Sequence, residues 1–207
     1  MTQPIEIDGH RVIAACESIL NEAAQSTLNK LRSLHAHGRA LHPGSIIMFG
    51  WAPLKLHVEG GDWVLYELDF TQPTLTWVRG VDTTLQVLNL QAAVVHAVGV
   101  APRETRYDDF VLVEPAAESA PDVLLARVEP HLDHDSGWFA GVEREDGRRS
   151  DAERVAVPMA GLVGSCPQWV PYLALPPGYR LAFRDGRLVQ LSDPDGRKRQ
   201  IPRRGTQ

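Results

Sequence analysis

Apolar residues recur every three or four positions between residues 13 and 34, and the positions between them are mostly polar. The series includes Ile13, Leu20, Leu28, Leu31 and Leu34. This period places a single apolar stripe along a helix. The pattern therefore predicts an N-terminal amphipathic helix that ends near residue 38, where a glycine can adopt the left-handed conformation that commonly closes a helix.

From residue 45 the pattern changes to short apolar runs with alternating polar positions, which is typical of strands. These runs cover residues 46–49, 54–58 and 63–70. Gly60 and Gly61 lie between the last two runs and predict a hairpin turn, because tight hairpin turns require positive φ. An antiparallel meander is therefore expected. A second helix follows over residues 83–98, with Asp82 as its predicted N-cap.

The second half of the chain begins with a segment that lacks hydrophobic periodicity. Residues 114–121 are rich in proline, alanine, serine and glutamate, and this composition predicts a linker over residues 115–121, with a long ordered loop inside one domain as the alternative. Strands are expected at residues 110–113, 123–128, 138–142 and 155–157, with short helical pieces at 159–163 and 169–173. Asp185-Gly186 lies between two apolar runs and predicts a closing hairpin.

These elements predict an α+β protein with two small antiparallel-sheet domains, packed helices and an N-terminal amphipathic helix. The expected domains are residues 1–114 (helix, β-meander, helix) and residues 122–192, joined by the linker at 115–121. A basic tail follows at residues 193–207. A chain of 207 residues with 43% apolar residues can bury two cores of about 100 residues each.

The charge of the chain narrows the range of partners. The formal net charge is −5, and acids and bases are mixed along most of the sequence, so we expect no binding of nucleic acid and no membrane association. The first twenty residues lack the apolar segment of a signal peptide, and we expect a cytoplasmic protein. The basic tail is interpreted as a solvated terminus, with a second contact to nucleic acid or an acidic partner as the alternative.

One short segment could ligate a metal. Residues 131–135 read His-Leu-Asp-His-Asp, and in an extended chain only His131, Asp133 and Asp135, or else His134 alone, would converge on one ion. Asp135 before Ser136-Gly137 is also typical of a turn, because aspartate accepts hydrogen bonds from backbone groups two residues on. The turn is sufficient to explain the segment, so no metal and no cofactor are predicted.

Catalytic motifs are weak throughout. Gly164-Ser165-Cys166 lacks the flanking glycines of a nucleophile elbow, and the carboxylates of Asp108 and Asp109 are neighbours that need not face a common substrate. The glycines do not follow the spacing of a phosphate-binding loop or a dinucleotide fingerprint. We therefore expect that the chain is not an enzyme.

Two segments place aromatic residues beside glycines and prolines that restrict the backbone: His-Asp-Ser-Gly-Trp-Phe-Ala-Gly at residues 134–141 and Trp-Val-Pro-Tyr-Leu-Ala-Leu-Pro-Pro-Gly at residues 169–178. Together with the acidic loop between them and Leu162, they resemble the Imm33 immunity-protein domain, formerly a domain of unknown function, over about residues 123–191. The resemblance implies an α+β domain without a cofactor. It also implies a role in bacterial polymorphic toxin systems, including those that use type VI secretion, in which an immunity protein binds a cognate toxin and blocks it.

The two segments themselves are predicted to determine the fold, and partner contacts are expected in the acidic loops around them. The predicted contact residues are Glu129, Asp133, Asp135, Glu143, Glu145, Asp146 and Asp151. An acidic surface can steer towards a basic cleft, such as that of a nuclease toxin, and cover it. We therefore expect inhibition by steric blockade. The alternatives are an adaptor or structural protein of a secretion apparatus, and a metal-dependent hydrolase that uses residues 131–135.

Overall fold

The computed structural model describes residues 2–72, 74–142 and 154–199. These residues form an α+β fold with two mixed sheets and three α-helices. The chain divides into two compact units, Met1–Asn89 and Leu90–Gln207. The division lies inside the second helix. The segment expected to be a linker instead contains a 3-10 turn at Pro115–Glu118, in which Ala117 is buried.

The first unit contains a six-stranded sheet and the first helix. Its elements are β1 (Ile5–Ile7), β2 (His10–Ile13), α1 (Asn21–Ala36), β3 (Ile46–Phe49), β4 (Ala52–Glu59), β5 (Asp62–Leu68), β6 (Trp77–Arg79) and the start of α2 (Asp82–Val98). The strand order is β1-β2-β5-β4-β3, and β6 also pairs with β5. The meander β3-β4-β5 is antiparallel as predicted, but β2 and β5 are parallel, so the sheet is mixed.

The predicted start of the first helix was wrong. Ile13 lies at the end of β2, and α1 begins only at Asn21, after a short 3-10 turn. The reason is a hairpin between β1 and β2 whose turn residues, Asp8 and Gly9, have φ of +50° and +77°. The predicted end is confirmed, because Gly38 has φ of +92° and its amide donates to the carbonyl of His35.

The apolar face of α1 contributes to the core of the first unit. Ala24, Leu28 and Leu31 are fully buried in one cluster with residues from β1 to β5. The strand residues in this cluster include Ile5, Ile7, Val12, Ile47, Phe49, Leu54, Leu56, Trp63 and Leu65. The helical period read from the sequence therefore identified the buried face correctly from Ala24 onward.

The start of α2 is capped differently from the prediction. The carboxylate of Glu67, on β5, accepts hydrogen bonds from the backbone amides of Thr83 at 3.0 Å and Thr84 at 2.7 Å. The Asp82 carboxylate instead accepts the amide of Glu17 at 2.6 Å. A buried acid from the sheet thus satisfies the free amides at the helix start, where negative charge is also favoured.

The second unit contains the remainder of α2 and a seven-stranded sheet. Its other elements are β7 (Phe110–Val113), β8 (Asp122–Arg127), β9 (Asp135–Val142), β10 (Val155–Pro158), α3 (Met159–Ser165), a 3-10 turn (Val170–Tyr172), β11 (Arg180–Arg184), β12 (Arg187–Ser192) and β13 (Lys198–Arg199). The strand order is β10-β7-β9-β8-β11-β12-β13. The expectation of an antiparallel sheet is corrected here too, because β7 and β9 are parallel.

Two local predictions in this unit are confirmed, whereas the strand expected at 138–142 begins earlier, at Asp135. Strand β7 has the predicted limits, and the hairpin β11–β12 turns through Asp185 and Gly186, whose φ values are +48° and +70°. The predicted tail is partly structured, because β13 pairs with β12 and Arg199 lies 2.9 Å from the buried carboxylate of Asp193. Among the described residues, no helix is both long enough and apolar enough to span a membrane.

Candidate partner-binding surface

The candidate surface is the β8–β9 loop, residues 128–134, together with the neighbouring carboxylates. Glu129 and Asp133 of this loop are exposed, and Asp135 is partly buried at the start of β9. Of the other residues predicted to bind a partner, Glu143, Glu145, Asp146 and Asp151 lie outside the described residues. The structure thus presents two of the predicted acidic side chains directly to solvent.

Asp135 has a different environment from its two acidic neighbours. One carboxylate oxygen accepts the amide of Gly137 at 2.8 Å, and the other accepts the amide of His131 at 3.2 Å. Asp135 also donates its own amide to the carbonyl of Leu132. This is the turn that the sequence indicated, and it connects both ends of the loop.

The base of the loop lies against β9 at Gly137, a glycine that no other residue can replace without a shift in the backbone. Gly137 has φ of +73°, and a Cβ atom at this position would lie 2.1 Å from the carbonyl oxygen of Val128. The amide of Val128 donates to the carbonyl of Gly137 at 2.9 Å. The start of β7 is attached to the same region, because the amide of Phe110 donates to the carbonyl of His134 at 2.7 Å and Ser136 donates its hydroxyl to the carbonyl of Phe110.

Two further carboxylates lie beside the loop. The Nδ1 atom of His134 is 3.5 Å from Oδ2 of Asp108 and 3.8 Å from Oδ1 of Asp109. The ligand atoms of these three residues lie within 4.8 Å of one another, whereas the sequence suggested either the set His131, Asp133 and Asp135 or His134 alone. His131, Asp133 and Asp135 do not form such a group. The carboxylate of Asp135 instead accepts hydrogen bonds from the amides of His131 and Gly137.

Directly before the loop lies a buried arginine that sequence reasoning missed. Arg127 is 3% exposed, and its Nε donates to the carbonyl of Ser136 at 2.9 Å. Its Nη1 lies within hydrogen-bonding distance of the carbonyls of Arg103, Leu173 and Leu175, at 2.7, 3.1 and 2.6 Å. The one available signal was alternation, since Val123, Leu125 and Arg127 share the inward face of β8.

Burial shapes the electrostatics of this arginine. Desolvation, followed by the nearby charge of Arg103, lowers the pKa of Arg127 to about 10, against the opposing effects of Asp109, Glu129 and Asp135. The guanidinium therefore remains protonated at neutral pH. Neutral carbonyl groups stabilise its positive charge, and so does the Trp138 ring, whose centroid lies 5.6 Å from Cζ of Arg127.

The two segments singled out in the sequence meet at this arginine. Trp138 donates its indole N–H to the carbonyl of Leu173 at 3.0 Å, and both residues are buried. The backbone carbonyl of Arg127 accepts the amide of Gly178. We call Arg127, Trp138, Leu173, Leu175 and Arg103 the Arg127 frame. Both segments contribute to this frame, as expected for parts of the chain that determine the fold.

The loop ends in an apolar tip. Leu132 is 80% exposed, and Val128 at the base of the loop is 46% exposed. Segments 107–110 and 128–136 contain five carboxylates and no lysine or arginine. The surface therefore combines a projecting leucine with five carboxylates, and the exposed Arg106 and the buried Arg127 directly precede the two segments.

An open groove adjoins the base of the loop. It has a volume of about 1030 Å³ and lies on the outer face of the second sheet. The groove is lined by Leu124, Ala126 and Ala182, among others. Its lining also includes two residues of the loop, Val128 and Glu129. The loop and the groove are thus parts of one continuous surface.

Residues 90–191 match the family described as the Imm33-like domain. The match covers the residues of the resemblance at 123–191 and begins at the residue where the second compact unit begins. No curated protein and no solved structure matches the chain.

Proposed function

We propose, from the premise that this chain contains an Imm33-like domain over residues 90–191, that it is an immunity protein that binds a cognate bacterial toxin and blocks it. The family match is the observation that carries the proposal. An immunity domain implies a toxin as partner, and inhibition by binding requires neither a cofactor nor a catalytic group in the inhibitor. The protein acts in this proposal where the toxin acts, in the cytoplasm.

The mode of inhibition that we propose is steric blockade by the acidic surface. Glu129 and Asp133 are exposed on a loop that internal hydrogen bonds hold in place, which supports a role in contact. We propose the same contact role for the acidic residues of the next segment, Glu143, Glu145, Asp146 and Asp151. Negative charge accelerates encounter with a basic surface and opposes incorrect partners. A toxin with a basic cleft, as a nuclease has, is the partner that fits this charge.

Asp135 has a positioning role in this proposal. Its two carboxylate oxygens accept the amides of His131 and Gly137, so the residue stabilises the loop that presents its neighbours. We therefore assign direct contact to Glu129 and Asp133 and the support of the loop to Asp135.

The test is co-expression with the toxin encoded beside the gene. We expect that the wild-type chain protects cells and co-purifies with the toxin. The double variant Glu129→Lys/Asp133→Lys should lose most of this protection at matched expression. The control is Glu104→Lys/Glu118→Lys, which makes the same charge change at exposed positions of the same unit and should protect like the wild type.

Two results would contradict the proposal. If the wild-type chain neither protects cells nor co-purifies with the toxin, the protein is not an immunity protein for it. If both double variants lose protection equally, the effect comes from net charge and the assignment of contact to Glu129 and Asp133 fails.

A further inference from the structure

Leu132 projects into solvent at the tip of the β8–β9 loop. It is 80% exposed, and among the exposed large apolar side chains of the described residues only Ile19, at 83%, is more accessible. Single exposed apolar residues are ordinary on surfaces and carry no meaning alone. Three features of its surroundings distinguish Leu132.

The first feature is that the tip is preorganised. The carbonyl of Leu132 accepts the amide of Asp135 at 3.2 Å, and the amide of His131 donates to the Asp135 carboxylate at 3.2 Å. The residues on both sides of Leu132 are therefore fixed before any partner arrives. A preorganised loop loses little conformational entropy on binding, so the contact energy of its tip is retained in the affinity.

The second feature is charge. Glu129 and Asp133 lie on the loop, Asp135 follows it, and His134 brings Asp108 and Asp109 to its base. No lysine or arginine occurs in residues 107–110 or 128–136. A surface that complements this arrangement has an apolar recess for the leucine and basic groups around the recess.

The third feature is continuity with a larger surface. Val128 is 46% exposed at the base of the loop and lines the open groove together with Glu129. A partner that holds the tip can therefore also cover the groove, which is lined by apolar residues such as Leu124 and by charged residues such as Arg180. Interfaces commonly combine a few deeply inserted anchor residues with a wider area that excludes water.

We infer that Leu132 is the anchor of the partner-binding surface and that it inserts into an apolar recess bordered by lysine or arginine on the toxin. The inference rests on the proposed function, which it makes more specific. Insertion of Leu132 into such a recess would place the acidic residues of the loop against the basic groups that surround it. Leucine supplies the contact area, and the carboxylates supply orientation and rate of encounter.

The experiment compares Leu132→Ala with Ile19→Ala. The probe is a catalytically inactive form of the toxin encoded beside the gene, and the dissociation constant is measured by titration calorimetry. Leu132→Ala should weaken binding about 30-fold, the size typical of an anchor residue. Ile19→Ala removes an equally exposed apolar side chain from the first unit and should change the dissociation constant by less than about twofold.

Two further measurements exclude other causes. The midpoint of urea unfolding should be the same for Leu132→Ala and wild type, because the side chain is exposed and its removal leaves no cavity. Ala182→Arg fills part of the groove without touching the loop tip. It should weaken binding less than Leu132→Ala does.

The outcomes separate the two proposals. If the wild type binds and Leu132→Ala binds equally well, the anchor inference is wrong and the immunity function stands. If Ala182→Arg abolishes binding while Leu132→Ala does not weaken it, the groove is the main contact and the anchor inference is again overturned. If the wild type does not bind the toxin at all, both proposals fail.

Discussion

Arg127 and Glu129 are two positions apart in the chain, but their surroundings are opposite. Arg127 is buried, and its guanidinium donates hydrogen bonds to main-chain carbonyls from three separate parts of the second unit. Glu129 is exposed at the edge of an open groove. A substitution in the Arg127 frame leaves buried acceptors unpaired, whereas a substitution in the loop changes only what the surface presents. We therefore expect changes in the frame to alter stability and changes in the loop to alter binding.

The junction between the two regions is short. Asp135 and Gly137 contact the loop from one side, and Ser136 between them accepts a hydrogen bond from Arg127 through its carbonyl. The acidic loop is therefore positioned directly by the frame. This arrangement explains how a surface loop can hold a defined shape without being buried itself.

The largest expected effect tests the frame. Arg127→Met keeps the length of the side chain but removes the guanidinium that donates to the carbonyls of Arg103, Ser136 and Leu175. The Leu173 carbonyl keeps the donors of Thr105 and Trp138. The free energy of unfolding should therefore fall by about 4 kcal/mol. The control is Arg180→Met on the exposed face of β11, which should change it by less than about 0.5 kcal/mol. Urea unfolding measures both. Equal stability of the two variants would show that the carbonyls find other donors and that the frame is not essential.

The next comparison isolates one close contact at the junction. Gly137→Ala places a Cβ atom against the Val128 carbonyl in addition to forcing alanine to positive φ, and should destabilise the protein by about 3 kcal/mol. Gly186 also has a positive φ, +70°, so Gly186→Ala has the same conformational cost. Nothing lies near its Cβ position, and the free energy of unfolding should fall by only about 1 kcal/mol. Thermal unfolding followed by circular dichroism gives the difference. If the two losses are the same, the close approach of Gly137 on β9 to the Val128 carbonyl adds nothing to the cost of the substitution.

A smaller difference is expected between two aspartates of the acidic surface. Asp135→Ala removes two hydrogen bonds to backbone amides and should lower the free energy of unfolding by about 1.5 kcal/mol. Asp133→Ala, at an exposed position, should change it by less than about 0.5 kcal/mol. The expected roles reverse in a binding assay, because Asp133 is the residue that we propose to contact the partner directly. A larger loss of stability at Asp133 than at Asp135 contradicts the division of roles between them.

The last prediction concerns pH and the ion pair near the end of the second sheet. Burial acts to raise the pKa of Asp193, but the amide of Arg197 and the side chain of Arg199 outweigh it and the pKa is lowered. A carboxyl whose pKa is lowered on folding adds stability above its unfolded pKa, about 3.9, and this contribution is lost as pH falls through the folded-state pKa. The stability difference between wild type and Asp193→Asn should therefore be constant from about pH 5 to 7 and shrink below about pH 4.

The control for the pH prediction is Asp133→Asn, whose stability relative to wild type should not vary with pH over the same range. Stability is measured by urea unfolding at each pH. A difference between wild type and Asp193→Asn that persists unchanged at low pH would mean that the carboxylate charge is not what stabilises the pairing of β12 and β13.

The predictions that succeeded from the sequence concern local features. The limits of β3 and β7, the turns at Gly60-Gly61 and Asp185-Gly186, and the end of α1 at Gly38 follow from period and from positive φ. The start of α1 was missed because Ile13 continues the helical spacing by coincidence while it pairs with Val64 on β5. The signal that could have corrected it was Asp8-Gly9, a turn of the same kind as those that were recognised.

The amino-acid composition was sufficient to identify the acidic loop. It did not show which acidic residues of the loop are exposed and which stabilise its structure. Asp133 and Asp135 are indistinguishable by type, and only the positions of the amides of His131 and Gly137 separate an exposed group from a structural one. Asp108 and Asp109 are visible in the sequence as neighbouring carboxylates. His134, which lies close to both in the structure, is about 25 residues away in the sequence. Spacing along the sequence carries no information about such a contact.

By itself, the sequence determined the element types, most turns, the acidic character of the surface and the resemblance that the family match confirms, because each depends on residue type and local spacing. The tertiary structure decided the two parallel strand pairs, the burial of Arg127 and the meeting of both aromatic segments at its guanidinium. The physical reason is that these depend on which distant carbonyls and strands come together. That choice is made by packing the whole core and has no local signature in the chain.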